Sequence, residues 1–158
     1  LDGEDATATW LAAMAENGSP TYPRNSAIVT AVIDGQVPTG LVNHYYLLRA
    51  LAEDPDATAS NHFFTTPTAG SIVMPAGVGI MASSESADAA RTFVRYLLEP
   101  PAQRYFSEET FEYPLVPGID ADPRLPAIDS LPTPDLDLSL LATTLDRATD
   151  LVAEAGLL

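Results

Sequence analysis

Residues 37–51 read Val37-Pro38-Thr39-Gly40-Leu41-Val42-Asn43-His44-Tyr45-Tyr46-Leu47-Leu48-Arg49-Ala50-Leu51. Their reading decides the fold class. Val37 to Asn43 has the pattern of a short buried strand, and His44 to Leu51 suits a helix that stops before Asp54-Pro55-Asp56. A strand that runs straight into a helix is the unit from which α/β proteins are built.

The flanking sequence repeats that alternation. Upstream, Asp2 to Asn17 predicts a helix with Trp10, Leu11 and Met14 on one face. Asp2, Glu4 and Asp5 sit near its start, and Asn17-Gly18 supplies a stop. Trp10, the single tryptophan, reads as core. Asn25-Ser26 offers N-cap chemistry to a second helix striped by Ile28, Val29, Val32 and Ile33, which ends near Asp34-Gly35. Downstream, Asn61 to Thr66 reads as extended. Ser71 to Ala82 is a β-rich run in which Gly77 and Gly79 predict a bulge or a close approach. Ser86 to Leu98 is the clearest amphipathic helix, with Ala89, Ala90, Phe93, Val94 and Leu97 inward. Pro100-Pro101 closes it and opens another helix through Phe106. Six of the 14 prolines fall within 114–134, which predicts an irregular strap. Asp137 to Ala155 reads as a final helix capped by Gly156. The fold class expected is therefore α/β.

Composition narrows the function classes. A chain of 158 residues is the size of one ordinary domain, and it is expected to bury roughly 68–70% of its unfolded surface. Cysteine is absent, which excludes disulfides, Cys-ligated zinc, iron–sulfur clusters and a thiol nucleophile. The chain has 22 acidic and 7 basic residues, a net charge of −15. Such a field disfavours nucleic acid and anionic membranes, and it suits cations or basic partners. Every basic residue is Arg, a bias we ascribe to genome composition or salt adaptation. No run is long and apolar enough to span a membrane, and no signal peptide is visible. The chain begins at Leu1 rather than Met, and a processed or truncated product is expected.

The chemistry concentrates at the junction. A helix start presents free N–H groups and a positive dipole end, where anions bind. Tyr45 and Tyr46 place two phenols there. Phenolate oxygen is a hard anionic donor that matches ferric iron. A phenol titrates near 10, so only a strong Lewis acid holds two of them deprotonated at neutral pH. The ordinary alternative is that one tyrosine is core and the other covers a surface. Asn25, at another expected helix start, is a candidate to offer its amide to an anion, or else a simple cap. His44 and His62 lie beside aromatics and lack zinc spacing. Glu108-Glu109 and Asp120/Asp122 read as solvated turns. No Gly-x-Ser-x-Gly elbow, phosphate loop or dinucleotide fingerprint occurs, so no hydrolase, kinase or dehydrogenase is indicated.

Taken in order, several stretches resemble one family. Tyr22-Pro23-Arg24-Asn25-Ser26 and Gly40-Leu41-Val42-Asn43-His44-Tyr45-Tyr46 are similar to segments of the ferric-ion-binding proteins of bacterial ABC importers. Gly70-Ser71-Ile72-Val73, Ala76-Gly77-Val78-Gly79-Ile80, Ala89-Ala90 with Phe93-Val94 and Leu97-Leu98, Gln103, Phe106, Glu112-Tyr113-Pro114-Leu115-Val116-Pro117-Gly118 and Ala155-Gly156-Leu157-Leu158 extend the likeness along nearly the whole chain. The Asn-x-Tyr-Tyr motif is its most specific part.

That resemblance implies a two-lobed, class II periplasmic-binding-protein fold, of which this chain is the C-terminal portion. It implies that Tyr45 and Tyr46 are ligands to ferric iron. It also implies that Asn25 and Asn43 hold a synergistic anion, phosphate or carbonate. Further ligands would come from a missing N-terminal lobe. The implied segments are 1–66 in the lobe with the tyrosine pair, 67–118 crossing back to the other lobe, and 119–158 as strap and final helix. The implied partner is an ABC importer permease, and the implied location is periplasmic or extracellular, with a lipid anchor as an option. Surface normally covered by the other lobe would favour self-association of the chain alone. Three alternatives remain at this point: a binder of an organic or anionic solute without iron, a transferase on a related fold, and a structural module with core tyrosines. A non-enzyme is expected.

Overall fold

The computed structural model describes residues 1–158. Its regular elements are helices alone: α1 (Glu4–Glu16), α2 (Asn25–Ile33), α3 (His44–Glu53), α4 (Ala87–Leu97), α5 (Pro100–Glu108) and α6 (Leu141–Glu154). Short 3-10 turns occupy 69–71, 128–130 and 138–140. Each expected helix is present to within a few residues. α2 and α6 end as the sequence implies, with Gly35 and Gly156 at φ of 70° and 72°. There the following amide reaches back five residues, from Gln36 to the Ala31 carbonyl and from Leu157 to Val152. Glycine takes that left-handed turn without steric cost.

The helices associate in pairs. α1 lies on α6, α2 on α3, and α4 on α5. Leu11 and Leu151 are the buried residues of the first pair. At its rim Arg147 donates to Glu4 at 2.7 Å and to Glu154 at 2.8 Å. Val29, Ala31, Leu47 and Leu48 form the core of the second pair. A Cβ on Gly40 would collide with the Ile28 side chain. Only glycine lets the 37–42 loop lie so close to α2, and that approach sets where α3 begins. In α5, buried Gln103 donates to the Leu97 carbonyl at 2.8 Å and accepts from the Leu115 amide at 2.7 Å. One side chain therefore ties α4, α5 and the strap together.

Several expectations are corrected. Segments 37–43, 61–66 and 71–82 form no strand. A strand needs a neighbour for its ladder, and these segments find none within the 158 residues. Gly77 and Gly79 make no close approach, since a Cβ on either meets nothing within 4 Å. Trp10 is 51% exposed rather than core. α4 is rotated from the expected face: Ala87, Ala90, Val94 and Leu97 are half-buried, while Ala89 and Phe93 are exposed. The burial expected from length is not reached either. The accessible surface is 11264 Å², against about 7,600 Å² for a compact monomer of this mass and about 24,000 Å² unfolded. The chain therefore buries about half of its unfolded surface rather than 68–70%.

Candidate functional site

The start of α3 lies against α2, and this packing brings together residues twenty positions apart. Leu47 and Leu48 are buried against Val29 and Ala31. The side chains immediately before them on α3, Tyr45 and Tyr46, are half-buried at the edge of that contact. Their rings are 4.6 Å apart between centroids, tilted by 36°. Asn43, the residue before α3, donates from Nδ2 to the Tyr45 hydroxyl at 3.0 Å. The Asn25 amide faces the Tyr46 hydroxyl and favours its ionised form. Asn25 is the first residue of α2 and Arg24 stands at the cap position, with no side-chain cap bond. The amide expected as a cap is instead turned onto a phenol. All four residues singled out from the sequence thus meet in one place.

The two phenols are not equivalent. Tyr46 is held below the ordinary tyrosine range, first by the Asn25 amide and next by the Tyr45 hydroxyl, with the Arg49 charge adding to both. Tyr45 is pushed up, chiefly by desolvation, although the Asn43 amide opposes that shift. Hydrogen bonds to an ionised oxygen favour it, and burial disfavours it. Loss of one proton from the pair is therefore favoured at Tyr46.

A cleft of about 730 Å³ opens beside Tyr45. Asn43, His44, Tyr45, Glu112 and Tyr113 make its polar end, and Phe63, Phe64, Ile72 and Leu98 are among its apolar walls. No cluster of three or more His, Asp or Glu side chains stands ready to hold a metal. Any metal held here alone would rest on the phenols.

A family model described as a bacterial extracellular solute-binding protein matches residues 1–138. The chain belongs to that family. It is 31% identical over its whole length to an Fe(3+)-binding periplasmic protein of Serratia marcescens, 47% of which it covers. It is 30% identical, over 99% of its length, to the major ferric iron-binding protein of Neisseria meningitidis serogroup B, again covering 47%. The backbone matches iron-bound HitA from Pseudomonas aeruginosa with a TM-score of 0.79 at 24% identity, across 98% of this chain and 55% of that one. The expected periplasmic-binding fold is borne out by that likeness. The chain spans about half the length of the curated relatives it matches.

The remaining polar residues of this solute-binding protein divide into supports and neighbours. His44 Nε2 lies 3.0 Å from the Phe111 carbonyl. A carbonyl only accepts, so Nε2 carries the proton. Burial lowers the His44 pKa, and its ring packs edge-on to Tyr45 at 5.5 Å and tilted to Tyr113 at 5.2 Å. His44 is a buttress behind the pair. His62 packs edge-on to Phe64 and does not join it. Tyr113 donates its hydroxyl to the Pro126 carbonyl at 2.8 Å, which occupies its only proton. Asp122 is no free turn residue, because Arg124 grips both of its oxygens at 2.8 Å.

Sequence reading missed Arg49, Phe111 and Glu112 as part of this surrounding. Arg49 was open to discovery, since it follows Tyr46 by three residues on one helix. Phe111 and Glu112 come from the segment between α5 and the strap, more than 60 residues away, and no spacing rule connects them to Tyr45.

Proposed function

We propose that this chain carries the iron-binding half-site of a receptor for an ABC importer. Tyr45 and Tyr46 bind ferric iron as phenolates, and Asn25 and Asn43 help to hold a synergistic anion, phosphate or carbonate. The observation that carries this reading is the convergence of the paired phenols with one amide on each hydroxyl. The names of the Serratia and Neisseria relatives support the choice of ferric iron. Each amide nitrogen has two hydrogens. One stays on the phenolate while the other meets an anion in the same coordination sphere.

The steps follow from proton balance. Tyr46 ionises first, helped by Asn25, Tyr45 and Arg49. The second proton leaves Tyr45 when the cation arrives and its charge replaces the proton. Because two protons are displaced, binding weakens as pH falls, and acid offers a release route. Residues 1–66 are proposed as the lobe segment with the pair, 67–118 as the part crossing to the second lobe, and 119–158 as strap and terminal helix. The second lobe supplies the remaining ligands and closes over the ion. The working location is periplasmic or extracellular, with lipid anchoring as a variant, and the partner is the importer's permease. Without the second lobe, the exposed cleft wall favours self-association.

The apolar walls of the cleft support a second reading, an organic or anionic solute that stacks on Tyr45 without iron. One titration separates the two. Ferric nitrilotriacetate is added to the protein at its natural length, and visible absorbance is followed. A tyrosinate-to-iron charge-transfer band, lost in Tyr45→Phe/Tyr46→Phe, is the expected result. A folded protein supplied with phosphate that gives no band sinks the ferric reading and leaves the solute reading.

A further inference from the structure

Two phenols and two amides form an ambivalent site at neutral pH. All four groups are uncharged and all four carry hydrogen-bond donors, so a lone phosphate would suit them as well as a cation. Something must break that balance if the site is to take a cation.

We propose that Glu112 is the charge selector of this site: its carboxylate, on the cleft wall shared with Asn43 and Tyr45, admits a cation and turns away an unaccompanied anion. The proposal rests on the ferric reading given above.

Placement is the first argument. Glu112 lines the same cleft as Asn43, His44 and Tyr45. Its position is fixed from three sides. Its own amide donates to the Phe106 carbonyl in α5 at 2.9 Å. Its Oε1 lies 3.1 Å from the Thr110 hydroxyl. The preceding carbonyl, of Phe111, is held by His44 at 3.0 Å, and His44 adjoins Tyr45 in α3.

Charge is the second argument. The ion pairs of the molecule join Arg91 to Asp88, Arg124 to Asp122, and Arg147 to Glu4 and Glu154. Glu112 is in none of them, so no arginine neutralises it. Its field reaches His44 and both phenols, where it favours the imidazolium and opposes the phenolates. Arg49 is the opposing charge, on the Tyr46 side. An unpaired carboxylate beside neutral donors is a repulsive element against anions and an attractive one for cations. Once a trivalent ion is bound, the sign at the site is reversed. The synergistic anion then enters against the cation rather than against Glu112, which imposes an order on loading.

The test uses Glu112→Gln and the charge-conserving Glu112→Asp, in the protein at its natural length. Ferric nitrilotriacetate is titrated by visible absorbance with citrate as competitor, and inorganic phosphate is titrated into metal-free protein by calorimetry. Glu112→Gln is expected to keep the charge-transfer band, to bind ferric iron about tenfold more weakly and to bind metal-free phosphate about tenfold more tightly. Glu112→Asp is expected to stay near wild type on both. Added salt should raise phosphate binding to the wild type more than to Glu112→Gln, because it screens this carboxylate on top of the chain's overall negative charge. Unchanged iron and phosphate affinities in a folded Glu112→Gln overturn the proposal and leave the ferric reading standing. Should Glu112→Gln fail to fold, wild-type phosphate binding that does not rise with salt overturns it. A wild type without a ferric band removes the ferric reading and the proposal with it.

Discussion

The two regions that meet at Tyr45 are made in opposite ways. On one side, α2 and α3 bury Val29, Ala31, Leu47 and Leu48 against one another, and their polar side chains find partners within the pair. On the other, residues 61–82 hold no regular element beyond the turn at 69–71, with Met74, Val78 and Met81 open to solvent and no ladder for their amides. The first region is complete in itself. The second has the composition of a buried element but not the burial. The difference teaches that the site's polar constellation is local to a helix pair, while the surface that would enclose a ligand depends on contacts beyond these residues.

The largest expected effect would break this comparison at the site itself. Tyr45→Phe/Tyr46→Phe should abolish the ferric charge-transfer band and weaken ferric binding on the order of a thousandfold, about 4 kcal/mol. Equilibrium competition with citrate measures it. An intact affinity would move the ligand to the apolar wall.

Next comes packing. Leu48→Ala should destabilise the chain by about 3 kcal/mol, because a fully buried leucine is exchanged for a cavity. Met81→Ala, at 74% exposure, should change stability by less than about 0.5 kcal/mol. Urea unfolding of the two variants compares the regions directly. A large loss for Met81→Ala would mean that the second region is covered in solution.

The smallest effect is a titration. Ultraviolet tyrosinate absorbance of the metal-free protein should show one phenol, Tyr46, ionising below the ordinary tyrosine range and two, Tyr45 and Tyr113, above it. Tyr46→Phe should remove the early step, and Tyr45→Phe one of the two late ones, leaving that of Tyr113. The sign of the linkage differs between them. Tyr46, depressed in the folded state, favours folding at pH above its folded value and loses that contribution as pH falls through it. Tyr45, raised, opposes folding in the alkaline range where the unfolded chain ionises first.

What was legible in the sequence follows the same division. Helices and their ends were legible because cap residues and apolar periodicity are local, and Pro100-Pro101, Gly35 and Gly156 act within one turn of chain. Tyr45, Tyr46, Asn43 and Asn25 were legible because they lie on adjoining elements of one supersecondary unit, and the family likeness drew attention to them. The strands expected at 37–43, 61–66 and 71–82 were misread for a physical reason. Their residues have β-branched and apolar character, but a strand is a property of two segments, and none of these segments pairs with another within the 158 residues. Trp10 was misread likewise, because an indole on an amphipathic helix signals a contact without saying which surface makes it. Glu112 was invisible because it reaches the site through tertiary structure alone.

The single tryptophan has a consequence for watching the molecule at work. Trp10 sits half in water on α1, the helix that Arg147 fastens to the last helix of the chain. With one indole per chain, its fluorescence is an unmixed signal. Emission from this surface is expected at the red, water-like end. A blue shift would report that another surface, a second copy or a neighbouring lobe, had come to rest on α1, and it would do so without any label.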